Sequence, residues 1–396
     1  MLFNLKLETR NSKLPARPKT LTEALKPASL GYRMPAEWEP HAATWIAWPH
    51  NADDWPGRFE PIPWVYAEIV RQLARVEQVC IIVNSAQAEA EVQKILAAVG
   101  ANLTQVSFHR WPTDRVWTRD SGPIFIRREG DPHARRLGRP ARRSEFGDLS
   151  CPLAITHWQF NAWAKYSNWQ KDARLPTHIA SLLELPAWQP TVMVKNEQYR
   201  IVLEGGSIDV NGHGTMLTTE ECLLSAEQAR NPGLDRRCLE TVFADYLGIR
   251  KIIWLNCGIA GDDTHGHVDD IARFVGPNTV VAAVETNRKD PNFAPLAENL
   301  ARLHAATDQE GCPLRVVELP MPEPIYYEGT RLPASYANFY IANNLVLVPV
   351  FNDANDRLAL QIIATLLPQR KVVPIYCGDF IWGFGAIHCA TQQQPR

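Results

Sequence analysis

The chain has 396 residues, 45% of them hydrophobic and 21% charged, a balance that excludes a disordered or fibrous protein and supplies apolar material for a large core. The formal net charge of -2 gives no global signal for nucleic acid or acidic lipid. Eight cysteines run from Cys80 to Cys389 without a C-x-x-C pair, a usage that fits a reducing cytoplasm rather than a disulfide scaffold. Residues 1–10 offer no apolar signal-type segment, and no stretch approaches the roughly 18 consecutive apolar residues of a membrane span. A cytoplasmic protein with neither membrane nor nucleic-acid partner is expected, and a homodimer is left open.

Residues 1–33 are rich in Lys, Arg and Pro without sustained periodicity and read as a weakly ordered leader. From Met34 the chain is dense in apolar runs. Val65 to Arg75 has helical spacing, and Val79 to Val83 reads as a buried strand. A helix over Ala86 to Val99 and a short strand ending near His109 follow. Between Arg127 and Arg143 lie seven arginines interspersed with Gly and Pro, read as a solvated insertion or, less simply, a dock for an anionic partner. The alternation then returns. Helices are expected at Cys238–Leu247, Leu296–Ala306 and Arg357–Leu367, and strands at Lys251–Leu255, Thr279–Val284, Arg315–Leu319, Leu345–Val350 and Lys371–Tyr376. Short β-branched strands alternating with helices argue for an α/β chain. The units are too dissimilar in sequence to establish a repeat.

The densest chemical cluster runs from Gly261 to Asp270 and holds Asp262, Asp263, His265, His267, Asp269 and Asp270. If the segment is extended, His265, His267 and Asp269 share one face. That set could ligate a metal, or supply a general acid/base and a carboxylate that grips a cation. A polar cap is the bland alternative, and so many ionisable groups are costly to crowd for that purpose alone. The second feature, Gly383 to Gln393, contains Cys389. A cysteine near a chain end is more often an inert small hydrophobe, and His388 is a poor base for it because adjacent side chains of an extended segment point apart. The base would come from elsewhere, with the His267 cluster the obvious source. Trp117–Pro123 places Asp120 beside a turn signal, and Leu203–Ser207 places Glu204 ahead of two glycines that admit close approach. Either could equally be a surface turn.

Taken together, Met34–His41, Trp117–Pro123, Phe160–Trp163, Glu204–Asp209, Gly261–Asp270, Pro333–Tyr340 and Ile387–Gln393 resemble, in order, the agmatine deiminases of the guanidine-modifying pentein superfamily. The resemblance covers the chain from residue 34 to the C-terminus apart from the arginine-rich insertion near 127–143. It implies a single catalytic domain over 34–396, an α/β propeller of five pseudo-repeated units around a central active site. It further implies that Cys389 is the nucleophile, His267 the general acid/base, and Asp120 and Asp269 the carboxylates that hold the guanidinium. Trp117 would pack against the substrate, Glu204 and Asn338 would line the site, and Asp263 would make a further substrate contact. This chain departs from the pattern at His265, where an acid is usual, and at Ala164-Lys165-Tyr166, where a glycine is common.

The implied reaction is hydrolytic deimination of a small cationic guanidine, agmatine first and free or peptidyl arginine as alternatives, through a covalent amidino-cysteine and with neither metal nor organic cofactor. The acids around the empty site are expected to raise the Cys389 pKa until a cationic substrate reverses the field. The rival is a metal-dependent amidohydrolase with His265, His267 and Asp269 as ligands.

Overall fold

The computed structural model describes residues 25–128 and 151–396, together with Arg143–Ser144 and Gly147–Asp148. Five sheets among these residues repeat one pattern: two antiparallel strands, a helix, and a third strand parallel to the second. In the second unit, Ile124–Arg127 pairs antiparallel with Leu153–Thr156, helix Leu175–Leu182 crosses over, and Ala187–Trp188 returns in parallel. The third unit repeats this with Asp209–Val210, Thr215–Thr219, helix Arg236–Leu247 and Lys251–Leu255. The fourth uses Ala272–Gly276, Thr279–Val284, helix Phe293–Ala305 and Arg315–Pro320. The fifth uses Tyr340–Ala342, Leu345–Val350, helix Asp356–Leu366 and Lys371–Tyr376.

The first unit draws its antiparallel strand from the other end of the chain. Gln392–Pro395 pairs with His41–Ala47, with Gln392 opposite Trp45. Helix Ile62–Leu73 then leads to the parallel strand Gln78–Val83, extended by helix Ala86–Ala98 and Val106–Arg110. That pairing joins the first and last segments and completes the five-unit α/β propeller.

Local sequence explains the elements. Ile62, Tyr66, Ile69, Val70 and Leu73 recur at helical spacing and are all buried. Ser85 caps the next helix by accepting from the Ala88 N–H at 3.1 Å. Asp235 does the same for helix Arg236–Leu247 through Cys238, and Gly248, at φ +70°, closes it. No helix among the described residues is long and apolar enough to cross a membrane.

One expectation needs correcting. The leader read over 1–33 does not extend to residue 33: Pro27–Leu30 forms a 3-10 turn, Tyr32 is buried, and Arg33 exchanges two backbone hydrogen bonds of 2.8 Å with Arg127. Burial of Tyr32 against Trp188, and the Lys26 bond to the Tyr246 hydroxyl at 2.7 Å, order the segment despite its composition. Residues 1–24, and the arginine-rich stretch beyond Arg128 apart from the Arg143 backbone, lie outside the described residues.

Candidate active site

The pseudo-repeat places chemistry at equivalent points. Asp120, Glu204, His267, Asp269, Asn338 and Cys389 each lie within five residues upstream of a unit's first or C-terminal antiparallel strand. The five units therefore deliver short, buried segments to one centre. Gly206 shows how tightly they meet: a Cβ there would lie 2.6 Å from His267 Nδ1, 2.9 Å from Asp120 Oδ1 and 3.1 Å from Asp269 Oδ2. Only glycine fits between the three.

Cys389 is buried, with its Sγ 3.1 Å from Asn338 Nδ2 and 3.7 Å from Asp269 Oδ2. Burial pushes its thiol well up, and Asp269, Asp270 and Asp120 push it further, as expected for an empty anionic site. His267 is completely buried. Its Nε2 faces Glu204 at 3.6 Å, and its Nδ1 faces Asp120 at 3.9 Å and Asp269 at 4.0 Å. Burial alone would discharge this imidazole; Asp120 leads the interactions that outweigh it and hold it protonated.

The carboxylates have distinct partners. Asp120 Oδ1 accepts from the Gly206 N–H and Oδ2 from Trp163 Nε1, both at 2.9 Å. Burial pushes its carboxyl up to about 6, against the pull of His267. Asp269 Oδ2 accepts from His388 Nδ1 at 2.6 Å, whereas Oδ1 is buried without a hydrogen-bond partner among the described residues. Burial opposes the Asp269 charge and His388 prevails, leaving its carboxyl below the ordinary range. Glu204 takes the Arg230 Nε between its oxygens at 3.1 and 3.3 Å, and despite burial this guanidinium keeps it ionised.

A cavity of about 220 Å³ opens onto Asp120 and Cys389. Its most buried walls are Trp117, Asp120, Trp163 and Cys389, and its outer walls include Asp53, Arg115, Tyr166 and Asp263. Trp117 and Asp263 both line the cavity. Glu204 and Asn338 do not line the cavity, and neither do His267 and Asp269: Glu204 packs against the fully buried His267, and Asn338 lies behind Cys389, whose thiol occupies the wall before it.

His265 is the other correction. Its φ of +63° and that of Gly266, +93°, break the extended path, so His265 and His267 do not share a face. His265 turns to Glu221 at 3.8 Å and Glu227 at 3.9 Å. The metal set His265, His267 and Asp269 therefore does not converge. Among the described residues, metal-binding atoms do come together on Glu204, Cys222 and His267, within 4.8 Å of one another, but Glu204 there already holds Arg230.

Sequence reasoning also missed partners. Glu37 lies far from Asp269 in the chain yet reaches its histidine, with His388 Nε2 2.8 Å from Glu37 Oε2. Arg230 and Arg273 had no local signal, and Asp270, though part of the Gly261–Asp270 cluster, was given no role. Trp163 carried one, since it belongs to the Phe160–Trp163 motif.

The family model for Porphyromonas-type peptidyl-arginine deiminases matches residues 33–395. An agmatine deiminase of Pseudomonas fluorescens is 33% identical, the alignment covering 93% of this chain and 97% of that protein. The solved agmatine deiminase of Enterococcus faecalis superimposes with a TM-score of 0.79 at 30% identity, covering 94% of this chain and 98% of that one. A C. jejuni agmatine deiminase solved with substrate bound gives 0.76 at 28% identity, over 92% and 96% of the two chains. With nearly its whole described length accounted for, this chain belongs to the Porphyromonas-type peptidyl-arginine deiminase family, the hydrolases of linear C–N amidine bonds that include its agmatine deiminase relatives.

Proposed function

We propose that the chain hydrolyses agmatine to N-carbamoylputrescine and ammonia, with Cys389 as nucleophile, His267 as general acid/base, and Asp120 and Asp269 gripping the guanidinium. The observation that carries this reading is the cavity itself: the Cys389 thiol, the Asp120 carboxylate and the indoles of Trp117 and Trp163 surround a space of about 220 Å³, suited to a small cation, with Asp269 3.7 Å behind the sulfur. The guanidinium carbon is a poor electrophile, and fixing it through charge-assisted hydrogen bonds supplies orientation. Its positive charge also offsets the acids that keep the Cys389 thiol neutral, so binding favours the thiolate.

Thiolate attack forms the S–C bond, and the His267 imidazolium protonates the departing nitrogen. The thiol proton leaves to solvent when the cation binds, and the proton on the leaving group comes from His267: neutral ammonia departs, a thiouronium cation stays on sulfur and His267 is left neutral. Neutral His267 then takes a proton from water, hydroxide adds to the same carbon, and breaking the S–C bond frees the urea product. Glu204 serves by holding the imidazole from behind, through Arg230, and Asn338 by donating to the sulfur.

The outer wall favours an amine over an amino acid group. Asp53, Asp54 and Asp263 face the cavity with one cation, Arg115, which is tied to Asp54 at 2.6 Å. Asp263 is partly compensated by Lys165 and Tyr166. Arg119 is buried and turned to Gln393 and Glu37, so it does not serve a substrate carboxylate. All eight cysteines are unpaired, which supports cytoplasmic residence. Ammonia release and product mass are to be compared for agmatine, free arginine and a blocked arginine peptide. The highest kcat/KM is expected for agmatine. A higher value for either arginine substrate overturns the assignment and makes Arg115 a carboxylate binder.

A further inference from the structure

We propose that His388 is a positioning residue for deimination: by bridging the Asp269 and Glu37 carboxylates it pins one Asp269 oxygen and leaves the other aimed at the guanidinium. The inference rests on reading Asp269 as a guanidinium-gripping carboxylate.

The side chain is 2% exposed and held from both ends. Nδ1 lies 2.6 Å from Asp269 Oδ2 and Nε2 2.8 Å from Glu37 Oε2. Ionised carboxylates only accept, so the ring meets both as a donor. Glu37 is in turn immobilised by Arg273 at 2.9 Å, Arg119 at 3.2 Å and the Ile341 N–H at 2.8 Å. Arg273 continues the chain of contacts to Asp209 at 2.5 Å and to the Phe339 carbonyl at 2.8 Å. The His388 main chain is fixed too: its N–H donates to Asn338 Oδ1 at 3.0 Å, and its carbonyl accepts from Arg119 Nε at 3.3 Å. Every charged group around the imidazole thus belongs to a network anchored in several units of the propeller.

The two Asp269 oxygens are left in opposite conditions. Oδ2 has the His388 bond and lies 3.7 Å from the Cys389 sulfur. Oδ1 is buried with no donor among the described residues, and stands 4.0 Å from His267 Nδ1. A buried acceptor without a donor is costly and calls for a ligand that supplies one. A guanidinium N–H does so. Oδ2 already accepts weakly from the Cys389 thiol at 3.7 Å; without His388 the carboxylate is free to rotate, and Oδ2, relieved of its shorter bond, holds that thiol more tightly and ties up the nucleophile. One imidazole thereby fixes the grip on substrate and protects the attacking sulfur.

A residue acting through Asp269 has a signature that general support of the fold lacks. The test is a cycle of wild type, His388→Ala, Asp269→Asn and the double variant, with kcat/KM for ammonia release and melting temperature recorded for each. His388→Ala is expected to lose about 10- to 150-fold in kcat/KM, the range of one charge-assisted hydrogen bond. In the Asp269→Asn background the same change should cost only about twofold, because coupled residues are non-additive. His388→Gln should recover part of the loss, since its amide still donates to Asp269. It also takes the place of alanine in the cycle if His388→Ala does not fold. An equal fold-loss in both backgrounds overturns the proposal while leaving Asp269 in its role. Wild-type efficiency in Asp269→Asn alone overturns the guanidinium reading of Asp269, and this inference with it.

Discussion

Replacing Asp120 with asparagine tests the electrostatic design of the cavity. Both Asp120 oxygens accept, one from the Gly206 N–H and one from the Trp163 indole, each at 2.9 Å. An asparagine can satisfy only one, because its amide nitrogen would face a donor with a donor. It also removes the anion that meets the guanidinium. One hydrogen bond to a charged group is worth about 1.5–3 kcal/mol, so kcat/KM should fall by about 10- to 150-fold. Asp120 adds a pH signature, since burial pushes its carboxyl up to about 6. Below that pH the free enzyme holds the group protonated, and kcat/KM falls. A carboxyl whose folded value lies above its unfolded one favours the folded state as pH drops, so protonation of this group does not unfold the protein. Ammonia release from pH 5 to about 8 gives both readouts. Asp54, at the outer wall, is also raised by burial to about 6, so Asp54→Asn is the control and keeps the acid limb. An Asp120→Asn enzyme with wild-type efficiency, or with its acid limb intact, refutes the reasoning.

Activity should survive exhaustive chelation, because His265 is turned away from His267 and no metal step is invoked; loss of activity restored by a divalent metal contradicts this. Alkylation of Cys389 by iodoacetamide near pH 8 should be faster in Asp269→Asn than in wild type, since removing a nearby anion lowers the thiol pKa, even though hydrolysis falls. An unchanged or slower rate tells against that field. Ala164 is exposed and sits at φ +55° in a run of three left-handed residues, so Ala164→Gly should stabilise the protein by about 0.5–1 kcal/mol in urea unfolding. A lower midpoint shows that the turn is not strained.

Elements whose own composition matches their environment were legible. Thr279–Val284 and Leu345–Val350 are apolar, β-branched and central to their sheets, Lys251–Leu255 carries a similar apolar run at a sheet edge, and the bounds of all three agree with the sequence reading. Gln392–Pro395 was invisible because nothing in Gln-Gln-Gln-Pro favours a strand; pairing with His41–Ala47 creates it. Asp209–Val210 is too short to carry a period. The repeat likewise lives in topology, not in similarity of residues. In the site, Cys389, His267, Asp120 and Asp269 stood in motifs, but the tasks of Glu204 and Asn338 depend on which residue occupies the space before them. His388 was set apart from Cys389 on the assumption of an extended segment, whereas residues 387–390 form a turn that sends its ring to other partners. Its true partners, Asp269 and Glu37, lie 119 and 351 positions away, where no local rule reaches. His265 was misplaced because the extended path assumed for it is broken by its own left-handed backbone.

The central claim is a covalent bond between the guanidinium carbon and Cys389. Rapid acid quenching during turnover of agmatine, followed by intact-mass and peptide mass spectrometry, tests it most directly. The account predicts an adduct of agmatine less ammonia on the peptide containing Cys389, absent from Cys389→Ala, which should bind agmatine without hydrolysing it. Normal turnover by Cys389→Ala, or an adduct found instead on Cys257, would contradict the account.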